Sequence, residues 1–376
     1  MMTTGQIKQT VLGNIRSQPE VLSGVFADQT SFTHPFSAEI NEGNIRKIIF
    51  FGSGTSYNAA HIAAYYFKHI VGIAAEACYP TVFEHYEKPD WTGSIANDHI
   101  LFVGISQSGT SVSTCRVMQY GRKLGCRTLA ITNDMKSAIT NCAETTIPLL
   151  VGDELTPPET KGYTVTILTA YLCAIETAKA NGTLKPHEYD GMVQQAQLLI
   201  SDFSRIIDAG ENWYDRNKAS IVNSDRIYVL GYGIDYGSML EGMLKIGEML
   251  RIPTIGYELE EFAHGPVMAL RDNQTIVMIG SDEPEFERMI HFRSVFKQYT
   301  PRVHVLTCKN IEADNRDLIF SPATSTYLGP LVYTVPFQFV AAGGARDIFI
   351  DTNINPFKES LGHYEKMSQK KRGHLD

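Results

Sequence analysis

The chain repeats itself, and this repeat limits the folds it can adopt more than any other feature of the sequence. The segment IRKIIFFGSGTSYNAA at residues 45–60 is echoed by SDRIYVLGYGIDYGSM at residues 224–239. Each runs from an apolar stretch into a Gly-x-Gly turn, with a tyrosine three residues after the second glycine. A chain of 376 residues is also too long for one ordinary domain and suits two. The sequence therefore predicts two domains of the same architecture.

Each copy continues with short apolar segments that are typical of strands buried on both faces of a parallel sheet. The predicted strands are residues 99–106, 126–134 and 145–150 in the first copy, and 274–281, 301–308 and 317–322 in the second. A long helix closes each copy, at 161–178 and at 331–345. The pattern predicts an α/β fold with two doubly wound parallel-sheet domains in tandem.

The positions of the two copies also set the expected domain boundaries. The first domain is expected at residues 31–200, after a helical extension at 1–30, and the second at 201–350. The tail at 351–376 has no counterpart in the first copy. In such folds the loops at the carboxyl ends of the strands bind ligands, so candidate site residues are sought there.

Composition excludes several classes of protein. A net charge of −8 argues against a nucleic-acid binder, because an acidic surface repels a phosphate backbone. No apolar run approaches the roughly 18 residues of a membrane span, and the polar first residues carry no signal-peptide core. The six scattered cysteines fit buried thiols of a reducing compartment, without the close spacing of a metal site. We expect a cytoplasmic protein that contacts no membrane and uses no metal or cofactor.

Two loops of the first domain are rich in hydroxyl groups and lie where a strand meets a helix. The candidate residues are Gly54, Thr55 and Ser56 in the first loop, and Ser106, Gln107, Ser108 and Ser111 in the second. A helix N-terminus offers free N–H groups and a partial positive charge, so hydroxyl groups can complete a phosphate cradle without lysine or arginine. Serine and threonine are also common N-caps, so capping alone is the alternative interpretation. Two such loops on adjacent strands favour a site for a phosphorylated ligand.

The second copy differs at the same places. It keeps Gly231 and Gly233 in its first loop, but Ser281-Asp282-Glu283 stands where the first copy has Ser-Gln-Ser-Gly. Carboxylates at this position would repel a phosphate group. We therefore expect only the first domain to bind the phosphate.

A second group of candidates lies in the second copy and consists of acidic residues, a lysine and a histidine. Glu241, Lys245 and Glu248 are spaced i, i+4 and i+7, so they share one face of a predicted helix, where an exposed salt-bridged stripe is the alternative interpretation. Residues 257–266 (YELEEFAHGP) are expected to form a loop. His264, beside Glu261 in that loop, is a candidate for proton transfer, although a single histidine is more often structural.

These segments resemble the tandem sugar isomerase (SIS) domains, of flavodoxin-like fold, in the isomerase half of glucosamine-6-phosphate synthase and its relatives, which include the fructosamine-6-phosphate deglycases. The resemblance rests on GSGTS, SQSGTS, LEGMLKIGE and EEFAHGP, and it extends over almost the whole chain. It implies a sugar 6-phosphate substrate, with Ser56, Ser106, Gln107, Ser108 and Ser111 at the phosphate-binding positions.

The resemblance also assigns catalytic roles. Glu248 matches the glutamate that acts as base on the sugar carbons, and Lys245 matches a lysine beside that base. His264 matches the histidine that opens the sugar ring, and in the synthase this histidine reaches across a dimer interface. Glu261 matches a carboxylate near that histidine. The resemblance therefore implies a homodimer or a higher homo-oligomer.

Three departures from the synthase pattern bear on the reaction. Glu159-Thr160-Lys161 replaces Ser-Thr-Lys, which places a carboxylate at the C1–C2 end of the sugar. No glutaminase segment is seen, so we expect no release of ammonia from glutamine. The tail reads Asn355-Pro356-Phe357-Lys358, with Leu361 at the spacing of the synthase lysine and His363 and Lys366 nearby.

Together these features predict an enzyme that releases glucose 6-phosphate and an amine from a 6-phosphorylated ketosamine by a 1,2-proton shift. An aldose–ketose isomerase or deaminase of amino sugar phosphates is the alternative reaction. A non-catalytic phosphosugar sensor is the alternative of another class.

Overall fold

Two parallel five-stranded sheets organise the chain in the computed structural model, which describes residues 10–321 and 324–357. The first sheet contains β1 (Lys47–Phe51), β2 (Ala74–Cys78), β3 (Ile100–Ile105), β4 (Arg127–Thr132) and β5 (Thr145–Pro148). The second contains β6 (Ile227–Gly231), β7 (Thr254–Glu258), β8 (Thr275–Gly280), β9 (Val303–Thr307) and β10 (Leu318–Ile319). The strand orders are β2-β1-β3-β4-β5 and β10-β9-β8-β6-β7, so both sheets have the flavodoxin-like order 2-1-3-4-5. The predicted fold class is confirmed.

Helices cover both faces of each sheet and also precede and join the two. Before the first sheet come α1 (Val11–Arg16), α2 (Gln18–Ala27) and α3 (Thr30–Glu42), and the first sheet carries α4 (Thr55–Tyr66), α5 (Pro80–Tyr86), α6 (Val112–Lys123) and α7 (Lys161–Ala180). In the sequence, α8 (Pro186–Ser201) and α9 (Phe203–Val222) join the first sheet to the second. The second sheet carries α10 (Tyr236–Lys245), α11 (Leu259–Ala263), α12 (Phe286–Phe296) and α13 (Gly329–Asp347). A π-helical turn extends α4 at Phe67–Val71 and α10 at Ile246–Leu250. None of the helices described is long and apolar enough to cross a membrane.

The sequence prediction was wrong at one edge strand in each sheet. Neither β2 nor β7 was predicted, and residues 257–266 do not form a loop, because Tyr257 and Glu258 end β7 and α11 follows at once. The reason is physical: β2 reads Ala-Ala-Glu-Ala-Cys without a β-branched residue, β7 contains Gly256, and nearly all residues of both strands are only partly buried or exposed, so neither carries a continuous apolar run.

One hydrophobic core runs through both halves, because α7 and α13 are buried along almost their whole length. A buried chain of side-chain hydrogen bonds crosses the same region. Gln18 donates to Gln338 (2.8 Å) and accepts from the Thr164 hydroxyl (2.5 Å), and the Gln338 amide donates to the carbonyl of Thr160 (3.0 Å). This network fixes the start of α7, where the predicted Glu159-Thr160-Lys161 segment lies.

Candidate active site

The first hydroxyl-rich loop is shaped by its glycines. Gly54 precedes α4 with φ of +57°, which a residue with a side chain rarely adopts. A Cβ on Gly52 would lie 2.6 Å from the carbonyl carbon of Ser56, so only glycine allows the loop to fold back this tightly. The hydroxyl group of Ser53 lies 3.5 Å from that of Ser113, next to the second loop. The two loops therefore meet at the carboxyl edge of the first sheet, as predicted.

The second loop presents its hydroxyl groups in two ways. The Ser111 hydroxyl accepts a hydrogen bond from the backbone N–H of Thr114, so Ser111 is the N-cap of α6. The alternative interpretation, helix capping, therefore applies to Ser111. Ser108 is exposed, and its hydroxyl group lies 2.9 Å from that of Thr110. Gly109 has φ of +62°, and a Cβ there would collide with Ser137. The turn that projects Ser108 from the surface therefore requires a glycine.

In the second domain a carboxylate already occupies the equivalent position. The Glu283 side chain accepts a hydrogen bond from the backbone N–H of Ile234 (3.1 Å) and another from the Tyr65 hydroxyl of α4. It lies so close to Gly233, at φ of +52°, that a Cβ there would be 1.9 Å from its oxygen. A side chain of the chain itself therefore already occupies this helix start.

The acidic helix face is a buried cluster and not an exposed stripe. The side chains of Glu241 and Lys245 are 1% and 2% exposed, whereas that of Glu248 is 36% exposed. The Lys245 ammonium donates to Glu248 (2.6 Å) and lies 3.6 Å from Glu241. Burial raises the pKa of Glu241, and Lys245 opposes that effect. Burial alone would lower the pKa of Lys245, but the surrounding carboxylates outweigh it and raise that pKa.

Glu159 joins this cluster from the first domain. Although it keeps some solvent access, desolvation raises its pKa to about 7, and the nearby Glu154, Glu241 and Glu248 add to the rise. Lys245 acts in the opposite direction. The carboxyl group of Glu159 therefore changes its charge near neutral pH, directly beside the residues proposed to act on the sugar.

The first hydroxyl-rich loop is hydrogen-bonded to the cluster, and the second is hydrogen-bonded to Glu154, whose charge acts on Glu159. From the first loop, the Thr55 hydroxyl donates to Glu241 (3.4 Å), and Asn58, one turn along α4, donates to the same carboxylate (2.8 Å). From the second loop, the Gln107 amide donates to Glu154 (3.0 Å). The two loops are therefore linked to this part of the molecule through Glu241 and through Glu154.

Glu154 was not predicted, although it holds the start of α7 in place. Its carboxylate accepts from the backbone N–H groups of Thr160 (2.8 Å), Lys161 (3.0 Å) and Gly162 (3.0 Å) and from the Thr160 hydroxyl (2.9 Å). Gly162 leaves room for the Gln107 side chain, because a Cβ on it would lie 1.6 Å from the Gln107 amide oxygen and would require that side chain to move. The only signal in the sequence is an acidic residue a few positions before a helix, which is too common to identify it.

The structure does not bring His264 and Glu261 to the cluster. Both are exposed, and His264 ends α11 on the edge of the second sheet. Among the described residues, no hydrogen bond or ion pair joins His264 to Glu248. Of the tail residues, Asn355, Pro356 and Phe357 are described, and Lys358, Leu361, His363 and Lys366 lie outside the described residues.

Comparison with known proteins agrees with the two-domain fold. The SIS domain family model matches twice, at residues 44–176 and 220–341. The isomerizing glutamine–fructose-6-phosphate aminotransferase of Bartonella henselae is 26% identical over 332 residues, which are 86% of this chain and 54% of that protein. The corresponding enzyme of Clostridium tetani is 24% identical over 340 residues, which are 87% of this chain and 54% of that protein. The chain thus spans about half the length of the curated relatives it matches.

Solved structures share the fold over nearly the whole chain. A Clostridium difficile protein provisionally described as a phosphosugar isomerase is 25% identical, with a TM-score of 0.84 over 95% of this chain and 99% of its own. The C-terminal domain of the Francisella tularensis glucosamine–fructose-6-phosphate aminotransferase is 19% identical, with a TM-score of 0.80 over 94% of this chain and 100% of its own. The two matched segments coincide with the two sheets, so this chain belongs to the SIS domain family and carries two SIS domains in tandem.

Proposed function

We propose that this chain is an enzyme that acts on a 6-phosphorylated ketosamine and releases glucose 6-phosphate and an amine. The observation that carries the proposal is the cluster at the end of α10. There Glu248 accepts from Lys245 and remains accessible, while Glu159 brings a carboxyl group with a pKa of about 7 to the same place. A carboxylate that can hold a protonated amine next to a carboxylate base favours a sugar that carries nitrogen at C1.

The reaction uses Glu248 as the base. Glu248 removes a proton from C1 of the open-chain ketosamine, and the electrons of that bond form the C1=C2 enolamine as the C2 carbonyl oxygen takes up a proton. Return of the proton to C2 gives an imine between C1 and the nitrogen. Water then adds to C1, the amine leaves with a proton, and glucose 6-phosphate is formed. Each proton transfer by a positioned side chain is worth about 10²–10⁴-fold in rate.

The wild-type reaction with a phosphorylated ketosamine in deuterated water tests the proposal. We expect equal amounts of amine and glucose 6-phosphate, measured by coupled assay, with deuterium at C2 of the sugar where the proton exchanges with solvent. Conversion of hexose 6-phosphates or release of ammonia from glucosamine 6-phosphate, without any turnover of ketosamines, would favour the isomerase or deaminase alternative. Ligand binding without turnover of any of these compounds would favour the sensor.

The loops of the first domain are proposed to bind the phosphate, and Ser108→Ala is expected to show it. Loss of one hydrogen bond to a charged group costs about 1.5–3 kcal/mol, so the dissociation constant for glucose 6-phosphate should rise roughly 10-fold or more. Calorimetric titration measures this constant. Asp282→Ala, in the equivalent loop of the second domain, is the matched control and should bind as the wild type does. Unchanged affinity in Ser108→Ala and in Ser106→Ala would contradict the assignment.

The active species is proposed to be at least a dimer in which His264 completes the site of the partner subunit. The support is that His264 and the neighbouring Met268, which is 82% exposed, lie on the surface and away from Glu248. Mixing Glu248→Gln protein with His264→Ala protein should then restore part of the activity by subunit exchange, to about a quarter of the wild-type sites at most if exchange is random. A fully active monomer in light scattering would exclude the shared site.

A further inference from the structure

A cavity of about 730 Å³ is lined in part by Glu248, and its volume is within the range of small-molecule sites. Its walls come from three parts of the chain that are distant in sequence. The loop before α7 supplies Pro157 and Pro158. The π-helical turn and the segment after it supply Gly247, Glu248, Arg251, Ile252, Pro253 and Thr254, and the last described residues supply Thr352, Ile354, Asn355, Pro356 and Phe357. The cavity is therefore continuous with the proposed reaction centre at one end.

Most of the cavity wall is apolar. Ile252, Ile354 and Phe357 contribute side chains, and Ile354 and Phe357 are 58% and 61% exposed, although large apolar side chains are usually covered. Gly247 faces the same space, because a Cβ built on it would meet no atom within 4 Å. Such a wall fits an apolar group of several carbon atoms.

Arg251 supplies the positive charge of the cavity wall. It ends the π-helical turn in the left-handed conformation (φ of +59°), three residues after Glu248. One of its terminal nitrogens donates to the carbonyl groups of Asp351 (3.3 Å) and Ile354 (2.6 Å), which holds the guanidinium at the wall. A guanidinium carries five N–H donors in a planar fork that suits a carboxylate.

We propose that this cavity binds the substituent of the substrate amine, and that the substituent is an apolar chain that carries a carboxylate, as in an apolar α-amino acid linked to the sugar through its nitrogen. This inference rests on the proposed function, since Glu248 must lie at C1 of the sugar. Glu159 and Glu248 face the nitrogen, Arg251 faces the carboxylate, and the apolar wall faces the side chain. Arg251 and Gly247 are then specificity-determining residues.

Three phosphorylated ketosamines test the inference, carrying leucine, 3-methylbutylamine (leucine without its carboxylate) and methylamine. For the wild type we expect kcat/KM to fall about 10- to 100-fold from leucine to 3-methylbutylamine, as for loss of a hydrogen bond to a charged group. A further fall of about 10-fold or more is expected for methylamine, because several buried CH₂ or CH₃ groups are lost.

Two variants separate the roles of the two residues. Arg251→Met should lower kcat/KM for the leucine compound to that of the 3-methylbutylamine compound and leave the latter within about 3-fold of the wild type; a mere displacement of the tail would lower both together. Gly247→Leu should fill the cavity and abolish the preference for large amines while methylamine release persists. Gly191→Leu in α8, where an added Cβ also meets no atom within 4 Å, is the matched control and should behave as the wild type.

The outcomes distinguish the inference from the proposed function. If the wild type releases all three amines with similar kcat/KM, the cavity does not bind the substituent and the inference is wrong, while the proposed function stands. The same holds if Arg251→Met affects all three compounds equally. If the wild type releases none of the amines, the proposed function fails and the inference fails with it.

Discussion

Glu248→Gln is expected to lower kcat for ketosamine turnover by about 10²-fold or more while substrate binding survives. Glutamine keeps the shape of the side chain and can still accept from Lys245, but it cannot take the proton from C1. The variant therefore keeps the hydrogen bond that Lys245 donates to residue 248 (2.6 Å in the wild type). Steady-state kinetics measure kcat, and calorimetry with glucose 6-phosphate measures binding.

The control for this variant is Glu287→Gln, because Glu287 is an exposed glutamate in the first turn of α12. It should leave kcat unchanged. Full turnover in Glu248→Gln would remove this residue from the role of base. A loss of binding as large as the loss of rate would show that Glu248 holds the substrate and does not act on it.

Lys245→Met is expected to destabilise the protein by about 3–5 kcal/mol at pH 8, as is typical when one partner of a buried ion pair is removed. Methionine has a similar volume, so the loss reports charge and not packing. The variant leaves Glu241 and Glu159 without the cation that stabilises their ionised forms. Urea unfolding measures the loss. Lys218→Met is the matched control, since the Lys218–Asp215 pair is nearly half exposed on α9, and it should change stability by less than about 1 kcal/mol.

The loss should be smaller at low pH, because the pKa values of these carboxyl groups are raised. The pKa of Glu159 is raised from 4.5 to about 7 even with Lys245 present, so the folded protein binds this proton more tightly than the unfolded chain does. A raised pKa contributes to the free energy of unfolding below pH 4.5, and this contribution is lost as the pH rises through the pKa of the folded state. Without Lys245 the ionised Glu159 destabilises the folded protein still more above pH 7. An equal deficit at pH 5.5 and pH 8 would contradict the charge explanation.

The sequence alone predicted the two-domain architecture and the two hydroxyl-rich loops at the carboxyl edge of the first sheet. These features could be predicted because they depend on local patterns: continuous apolar strands, Gly-x-Gly turns and clusters of serine next to helix starts. The edge strands β2 and β7 were missed because nearly all of their residues are only partly buried or exposed, so the apolar pattern weakens. A pattern that depends on burial fades where burial is partial.

The sequence by itself therefore determined the fold class and the positions of the hydroxyl-rich loops, while only the tertiary structure decided that Glu241 and Lys245 are buried. The same helix face would form an exposed stripe if α10 did not pack against α4 of the other domain. The Thr55–Glu241 hydrogen bond spans 186 residues of sequence, and the group around Lys245 includes Glu159 from the opposite side of the cleft. Burial and pKa depend on the atoms that surround a group in space, and packing between distant segments sets those surroundings.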